Sequence, residues 1–345
     1  MYQIIVNPTS SSGKGMEAWE KIKAILDRRS VTYKVHMLQD AGEATQVVRE
    51  LTAQDEAGIV KLLVIGGDGT LNEVLNGIQD FEHTTLSCIQ TGSGNDFARN
   101  MHLEKDVEQA IVHLLEQPEE MALDYGEVTV RVDGTGDARM DGRQRGVGDA
   151  RVDGRQSGVD GDNMDACRDC MIRTKRFLIS SGVGYDANIC EEVSRSRLKP
   201  ILNKIHLGKL VYVMIGVKQI FTKKTVRAKL YLDDAPVRKL PELFFVVGMN
   251  HMYEGGGIPF CPNADPTDGR LDVCLVKGMS RMKLLLAVVL VYFKKHLLFK
   301  GITNHRCKKM RLVTETPQWI HMDGETPYQV REVTWESKGK LRFVR

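Results

Sequence analysis

The first 115 residues alternate short β-branched runs with amphipathic helical runs, and this alternation restricts the fold more than any other feature of the chain. Strand-like runs such as YQIIV, KLLVIGG and LSCIQTG are separated by helix-like runs between residues 16 and 78. The pattern is typical of an α/β layered domain with a mostly parallel sheet. Such sheets bind ligands at the carboxyl ends of their strands, so we expect the turns at Asn7, Gly66 and Thr91 to meet in one crevice.

Beyond Leu123 the pattern changes to strand-like runs at hairpin spacing, such as ELFFVVGMN, KMRLVT and VREVTWE. Two apolar, helix-like stretches interrupt them at Lys209–Phe221 and Lys283–Phe299. This spacing predicts antiparallel sheets. We therefore predict an α/β domain at residues 1–122 and a second domain at residues 123–345, and leave open whether the last strands return to the first domain.

Residues 131–175 differ from both domains because the string GDARMDGRQRGV, beginning at Gly136, recurs as GDARVDGRQSGV at Gly148. The segment has no aromatic residue and is dense in Gly and Asp, so it buries too little apolar surface to offset the entropy of ordering. Strand-like runs flank it on both sides. We predict a disordered insertion that enlarges a hairpin loop in the second domain.

The charge balance and the cysteines limit the partners and the compartment. A net charge of +3 over 345 residues is too weak to favour nucleic acid. The first residues lack the basic and apolar regions of a signal peptide, and seven widely spaced cysteines fit a reducing compartment. The longest apolar run, Leu284–Phe293, is far shorter than the roughly 20 residues that cross a bilayer. These features predict a cytoplasmic protein.

The most informative motif is GGDGTLNE at Gly66–Glu73, directly after the buried strand KLLVI. Its glycines allow the backbone to approach a bulky anion, and the following helix points its positive end at the same place. A phosphate-bearing ligand is therefore predicted. Asp68 would repel a phosphate unless a cation lies between them or the carboxylate caps nearby N–H groups. A plain strand–turn–helix junction is the alternative.

Two further turns follow strands of the same sheet. TGSGND at Thr91–Asp96 precedes a helix-like stretch, and NPTSSSGKG at Asn7–Gly15 combines hydroxyls, glycines and one lysine without matching a Walker A loop. Each turn alone is a common αβ connection. Three such turns at one sheet edge together predict a nucleotide site.

The motifs NPTSSSG, GGDGTLNEVLNG and TGSGNDFAR strongly resemble the diacylglycerol kinase catalytic-domain family, which includes bacterial lipid kinases and the sphingosine and ceramide kinases. The resemblance continues in SGVGYDA, PNADPTDGRLDV and HMDGE and covers nearly all of the chain except the Gly-Asp insertion. GGDGT alone is shared with NAD kinases and phosphofructokinases. The adjacent Asn-Glu and the GSGND turn indicate the lipid-kinase branch.

The resemblance implies a nucleotide-binding α/β domain like that of NAD kinases and phosphofructokinases, a C-terminal antiparallel β-sandwich domain, and a cleft between them where ATP meets a lipid hydroxyl. Similar enzymes bind ATP through the Asn-Pro turn, the GGDGT loop and the residue at Ser93. The candidate nucleotide-binding residues are Asn7, Pro8, Thr9, Ser12, Gly13, Gly66, Gly67, Asp68, Gly69, Thr70, Asn72, Glu73, Ser93, Asn95 and Asp96.

The same resemblance implies catalytic and metal-binding roles for two Asp-Gly turns. Glu325 matches the general base, and Asp323 matches a carboxylate near the magnesium of the nucleotide. Asp268 matches the ligand of a structural magnesium, assisted by main-chain oxygens at Asp265 and Arg270. From the residues alone, both turns also fit solvated turns that bind nothing.

Together these features predict an ATP-dependent lipid kinase with Mg²⁺ as cofactor, acting on diacylglycerol to give phosphatidic acid. The alternatives are a kinase for another lipid alcohol, such as a sphingoid or a phosphatidylglycerol-like lipid, and a catalytically silent protein that binds nucleotide or lipid. A lipid substrate requires contact with a membrane surface, so we expect peripheral association with the inner face of the membrane. The basic, apolar stretches Lys199–Ile220 and Lys283–Lys300 are candidates for that contact, although helices packed on the core are equally consistent. Homodimer formation is left open.

Overall fold

The computed structural model describes residues 1–53, 58–133, 170–196 and 208–345. Its first part alternates strands and helices as the sequence predicts. The elements are β1 (Tyr2–Val6), α1 (Lys14–Arg28), β2 (Tyr33–Met37), α2 (Glu43–Thr52), β3 (Val60–Gly66), α3 (Asp68–Gly77), β4 (Thr84–Gln90), α4 (Asp96–Asn100) and α5 (Val107–Glu116).

The strands of this part form a parallel sheet in the order β2, β1, β3, β4. Helix α1 buries Trp19, Ile22 and Leu26 at helical spacing, and they cluster with residues from one face of the sheet. Helices α2 and α3 cluster with residues from the other face. This α/β layered arrangement confirms the predicted fold class and brings the carboxyl ends of the strands to one edge.

The second part is built on antiparallel strands. The elements are β5 (Glu120–Asp133), β6 (Cys170–Phe177), β7 (Ser180–Gly184), α6 (Tyr185–Arg195), α7 (Gly208–Thr222), β8 (Val226–Leu232), β9 (Arg238–Met249), β10 (Tyr253–Glu254), β11 (Ile258–Pro259), β12 (Leu271–Lys277), α8 (Arg281–Val291), a 3₁₀ turn (His296–Leu298), β13 (Ile302–Cys307), β14 (Lys309–Met322) and β15 (Glu325–Val344). Strand β8 pairs with both β9 and β14, so this sheet folds back on itself around a core that contains Trp335 and Phe177.

One predicted helix is too long. The stretch Lys283–Phe299 divides into α8, which ends at Val291, and the separate 3₁₀ turn. The break lies where Lys294 adopts the left-handed region with a φ of 57°. A continuous helix cannot include that conformation, and apolar composition alone does not reveal it. Among the described residues, no helix is both long enough and apolar enough to cross a membrane.

Strand β15 connects the two parts. Its last residues, Arg342 and Phe343, pair in parallel with β4, and the same segment pairs antiparallel with the start of β5. The end of the chain therefore lies in the sheet of the first part. The domain boundary at residues 122 and 123 falls inside β5 and stays a prediction.

The hairpin of β5 and β6 carries the Gly-Asp insertion. The two strands stay in register from Gly126 opposite Phe177 to Asp133 opposite Cys170. The predicted insertion at residues 131–175 is therefore too wide, because residues 131–133 and 170–175 belong to paired strands. Both repeats lie outside the described residues.

Deleting residues 134–169 and joining Asp133 to Cys170 through Asn-Gly is expected to leave the fold intact. Asp133 and Cys170 are paired opposite each other, and a two-residue turn closes such a hairpin. We expect the melting temperature to change by less than about 3 °C, since a segment without aromatic residues and dense in Gly and Asp is predicted to bury little apolar surface. A larger loss of melting temperature or insoluble protein would show that the segment contributes to the core.

Candidate active site

The three Gly-rich turns meet at the carboxyl edge of the parallel sheet, as predicted. The Asn7 amide donates to the Thr70 hydroxyl at 2.9 Å. The backbone N–H of Thr91 donates to the Gly66 carbonyl at 2.8 Å, and the Thr91 hydroxyl donates to the Ser10 hydroxyl at 3.0 Å. Hydrogen bonds therefore join the first turn to the second and to the third.

The second and third turns approach each other backbone to backbone. A Cβ atom placed on Gly92 would lie 2.7 Å from Cα of Gly67, so neither position has room for a side chain. Gly67 also stands at the N-cap of α3 and offers no side-chain acceptor to the first N–H groups of the helix. The N-terminus of α3 therefore presents backbone donors of the kind that bind phosphate.

Asp68 ties these turns together through its carboxylate. It accepts hydrogen bonds from the side chain of Gln90 at 2.8 Å and from the backbone N–H groups of Asp96 at 3.0 Å and Phe97 at 3.2 Å. The last two donors open helix α4. Of the two roles left open by the sequence, the structure shows the capping role.

The other candidate nucleotide residues fall into two groups. Pro8, Thr9, Ser12 and Gly13 belong to the first turn, and Ser93, Asn95 and Asp96 belong to the third.

Asn72 was predicted to bind nucleotide, but it is buried. Its amide donates to Asp323 at 2.7 Å and to the carbonyl of Arg176 at 3.1 Å. Asn72 therefore joins α3 to the second part of the chain.

The Asp-Gly-Glu turn between β14 and β15 separates its two carboxylates. Asp323 accepts four hydrogen bonds at 2.7 to 3.0 Å, from Asn72 and from the backbone N–H groups of residues 178–180. Burial raises the pKa of Asp323, while these donors act in the opposite direction. These four donors bind both oxygens of Asp323 and fasten the turn, and the predicted contact of Asp323 with the cation of the nucleotide stays a prediction.

Glu325 is exposed and faces the GGDGT loop. Its Oε1 atom lies 3.9 Å from the place where a Cβ on Gly69 would be. This approach places the Glu325 carboxylate beside the N-terminus of α3, the predicted phosphate position. The structure thus brings the predicted base and the predicted phosphate loop together.

A lysine that the sequence analysis assigned to the insertion lies beside this carboxylate. Burial lowers the pKa of Lys175, and the charges of Glu325 and Glu73 partly offset that effect. Burial raises the pKa of Glu73, and Glu325 raises it further. Glu73, Lys175 and Glu325 therefore interact electrostatically with one another. The strand-like run KRFLISSGVG, which begins at Lys175, was the available signal that this lysine belongs to a strand.

A loop of the second part covers helix α4. The side chain of Asn100 exchanges two hydrogen bonds with the backbone of Tyr253, at 2.9 and 3.0 Å, and the N–H of Gly256 donates to Asp96 at 2.8 Å. The GSGND turn therefore lies between the two parts of the chain.

The predicted metal-binding turn has its own internal contacts. Asp265 accepts hydrogen bonds from the N–H and the hydroxyl of Thr267, and Asp268 accepts one from the N–H of Arg270. The second oxygen of Asp268 lies 3.3 Å from the guanidinium of Arg306. Within the described residues, the one cluster of three His, Cys, Asp or Glu side chains close enough to share a metal ion lies elsewhere, at Asp186, Glu254 and His321.

That cluster is buried below the Asp-Gly-Glu turn. The Nε2 atom of His321 lies 3.0 Å from Asp186 and 3.1 Å from Glu254. Burial alone would lower the pKa of His321, but the two carboxylates raise it to about 9. Burial raises the pKa of Glu254 to about 7.

These two groups predict that stability falls as the pH rises. A group whose pKa is higher in the folded than in the unfolded state stabilises the fold at low pH and loses that contribution as pH rises through its folded value. For His321 the loss runs from 6.5 to about 9, and for Glu254 from 4.5 to about 7. We expect the melting temperature to fall across this range and His321→Gln to flatten the upper portion. An unchanged slope in the variant would contradict the assignment.

Two family models match the chain, one in each of its two parts. Residues 1–128 match the family described as diacylglycerol kinase catalytic domain, and residues 179–334 match the YegS C-terminal NAD kinase beta sandwich-like domain. A Bacillus subtilis protein named "Putative lipid kinase YtlR" is 25% identical over 94% of both chains. The diacylglycerol kinase of Staphylococcus saprophyticus is 24% identical over 94% of this chain and 88% of that protein.

The fold also matches solved structures. A crystal structure of a diacylglycerol kinase from Bacillus anthracis superposes with a TM-score of 0.62 at 19% identity, covering 99% of this chain and 95% of that one. The α/β part and the antiparallel part follow one another in the same order as the two matched domains. The chain belongs to the diacylglycerol kinase catalytic-domain family and is a lipid kinase.

Proposed function

We propose that the protein transfers the γ-phosphoryl group of ATP to the hydroxyl group of diacylglycerol and produces phosphatidic acid. The observation that carries this proposal is the approach of Glu325 to Gly69, which sets the carboxylate against the GGDGT loop. Relatives named diacylglycerol kinase support the choice of acceptor.

The nucleotide is assigned to the edge where the three turns meet. Backbone donors at the N-terminus of α3 bind the phosphates. The close approach of Gly67 to Gly92 requires glycine at both positions, so no side chain there covers these donors. ATP enters as its magnesium complex, so that the cation neutralises charge on the transferred group. Asp68 keeps the GSGND turn in place through its three hydrogen bonds.

Glu325 is assigned the role of general base. The acceptor oxygen forms a bond to the γ-phosphorus as the bond between that phosphorus and the β,γ-bridging oxygen breaks, and ADP leaves. The acceptor proton moves to the carboxylate of Glu325. The carboxylates of Glu325 and Glu73 stabilise the positive charge of Lys175, and we assign to this ammonium the role of offsetting negative charge near the base.

Asp323 is a positioning residue in this scheme. Its hydrogen bonds fasten the Asp-Gly-Glu turn to residues 178–180 and, through Asn72, to helix α3. The base and the phosphate loop are therefore connected by one set of buried contacts. Phosphoryl transfer depends on such positioning more than on covalent help.

Incubation with γ-³²P-labelled ATP, Mg²⁺ and a panel of acceptors tests the proposal. The panel contains mixed micelles of diacylglycerol, ceramide, a sphingoid base or phosphatidylglycerol, and NAD in solution. We expect the label in phosphatidic acid. Label in another lipid would change the acceptor, label in NADP would contradict a lipid acceptor, and no transfer at all would favour the silent binding protein.

The outer surfaces of α7 and α8 fit contact with an anionic bilayer. The two helices pack against each other and expose large apolar side chains, among them Val213, Met214, Phe221, Met282, Leu286, Val289, Phe293 and Leu298. Exposed lysines at 218, 283, 294, 295 and 300 surround them, and residues 208–225 and 281–300 contain no Asp or Glu. An apolar patch with a basic rim is typical of interfacial binding. We place the enzyme at the inner face of the cytoplasmic membrane.

Replacing Phe293 and Leu298 with glutamate is expected to weaken binding to phosphatidylglycerol vesicles about tenfold or more, because apolar insertion and charge attraction are both reduced. Val237→Glu, an exposed apolar site elsewhere, is the matched control. Turnover of a short-chain diacylglycerol in solution is expected to persist. Equal vesicle binding by all variants would contradict the assignment, and a change from dimer to monomer would assign the surface to a second copy.

A further inference from the structure

The loop at residues 264–270 carries the motif from which a structural magnesium was predicted, and two basic side chains lie against it. Lys340 of β15 places its ammonium nitrogen 2.6 Å from the carbonyl oxygen of Thr267. The same nitrogen lies 2.5 Å from Oδ1 of Asp124, which is 1% exposed. Arg306 approaches the loop from β13, and its guanidinium donates to the carbonyl of Asn263 at 3.1 Å.

Asp124 anchors this loop to the first strands of the second part. Its N–H donates to the Pro266 carbonyl at 2.6 Å, and its Oδ2 accepts a hydrogen bond from the N–H of Gly269 at 2.7 Å. Asp124 and Lys340 are also opposite each other in the pairing of β5 with β15. The ammonium group is therefore held by the sheet register and lies between a buried carboxylate and a loop carbonyl.

The donor set of the loop does not fit a divalent cation. One oxygen of Asp268 accepts the N–H of Arg270, and the other lies 3.3 Å from Arg306. The Arg306 guanidinium also lies 3.5 Å from Asp272. A divalent cation that bound the second oxygen of Asp268 would have to displace the Arg306 guanidinium, because both cations need the lone pairs of the same atom. A divalent cation would also meet two neighbouring positive charges.

We infer that the Lys340 ammonium and the Arg306 guanidinium replace the structural magnesium, so that the loop is braced by this chain's own cations. Lys340 supplies the positive charge beside Asp124, and Arg306 supplies it beside Asp268, in place of a metal ion. This inference does not depend on the identity of the acceptor lipid. It predicts a fold whose stability is independent of divalent cations.

The test compares melting temperatures of the full chain, without nucleotide, in EDTA and in excess MgCl₂. We expect the wild type and Asp268→Asn to respond alike to Mg²⁺, because no ion is bound at the loop. A rise in the melting temperature of the wild type that Asp268→Asn abolishes would overturn the inference. Metal analysis of protein purified without chelator provides a second readout, and an equimolar divalent cation that is lost in Asp268→Asn would also overturn it.

Lys340→Met tests the replacement directly, since methionine keeps the apolar stem and removes the charge. Lys338→Met is the matched control, because Lys338 lies on the same strand and its side chain is 45% exposed against 42% for Lys340. We expect Lys340→Met to lower the melting temperature by about 5 °C or more, because it leaves a buried carboxylate unpaired. Equal melting temperatures for the two variants would overturn the role of Lys340. The metal measurements on the wild type decide the question if Lys340→Met does not fold.

Discussion

The Glu325→Gln variant is expected to lower kcat by about 10²–10⁴-fold, the usual contribution of a positioned general base. Glutamine keeps the shape of the side chain but does not accept the acceptor's proton. The affinity for ATP should change little, because the nucleotide is assigned to the backbone of the three turns. Steady-state kinetics on the acceptor identified by the labelling experiment, with ATP binding measured by calorimetry, separates the two effects.

Glu315→Gln is the matched control for this variant. Glu315 is an exposed residue on β14 whose carboxylate lies 3.9 Å from the guanidinium of Arg227, and its backbone carbonyl accepts a hydrogen bond from Arg331. Its kcat should equal that of the wild type. A Glu325→Gln enzyme with kcat near the wild-type value would remove the general base from the mechanism and leave only phosphate positioning.

Asp68→Ala is expected to reduce kcat/KM for ATP by at least about 10²-fold, because misplaced phosphate ligands cost much of the positioning effect. The substitution removes the acceptor of three hydrogen bonds and leaves the N–H groups of Asp96 and Phe97 without it. Unsatisfied donors of this kind cost about 1–3 kcal/mol each, so the melting temperature should also fall.

Asp68→Asn distinguishes the capping role from a charge requirement. Its amide oxygen keeps one acceptor for the N–H groups of α4, so it should recover part of the stability lost in Asp68→Ala. Activity of Asp68→Ala within a few-fold of the wild type would contradict the role of Asp68 in organising the turns.

The sequence predicted the convergence of the Gly-rich turns correctly because the geometry of parallel strands determines it. Once β1, β3 and β4 lie parallel, the turns that follow them must leave from the same edge. The approach of Glu325 to Gly69 was predicted from the family resemblance alone. A residue 256 positions away has no local signal that brings it to this loop.

The contacts that the sequence did not reveal share a physical cause. A sequence shows that residue 323 has a carboxylate but not that four donors surround it. It likewise does not show that the amide of Asn72 donates to Asp323 and to the carbonyl of Arg176. The ammonium of Lys340 reaches the 264–270 loop only because β15 pairs with β5. Lys175 was assigned to the insertion because composition marks where a repeat is present but not where the strand beside it begins.

A crystal structure of the complex with a non-hydrolysable ATP analogue and Mg²⁺ tests the central claim most directly. The account predicts the triphosphate against the N-terminus of α3, between the Gly66–Gly69 loop and the Thr91–Asp96 turn, with the γ-phosphate on the side that faces Glu325. A triphosphate bound away from these turns, or a γ-phosphate on the opposite side of α3 from Glu325, would contradict it.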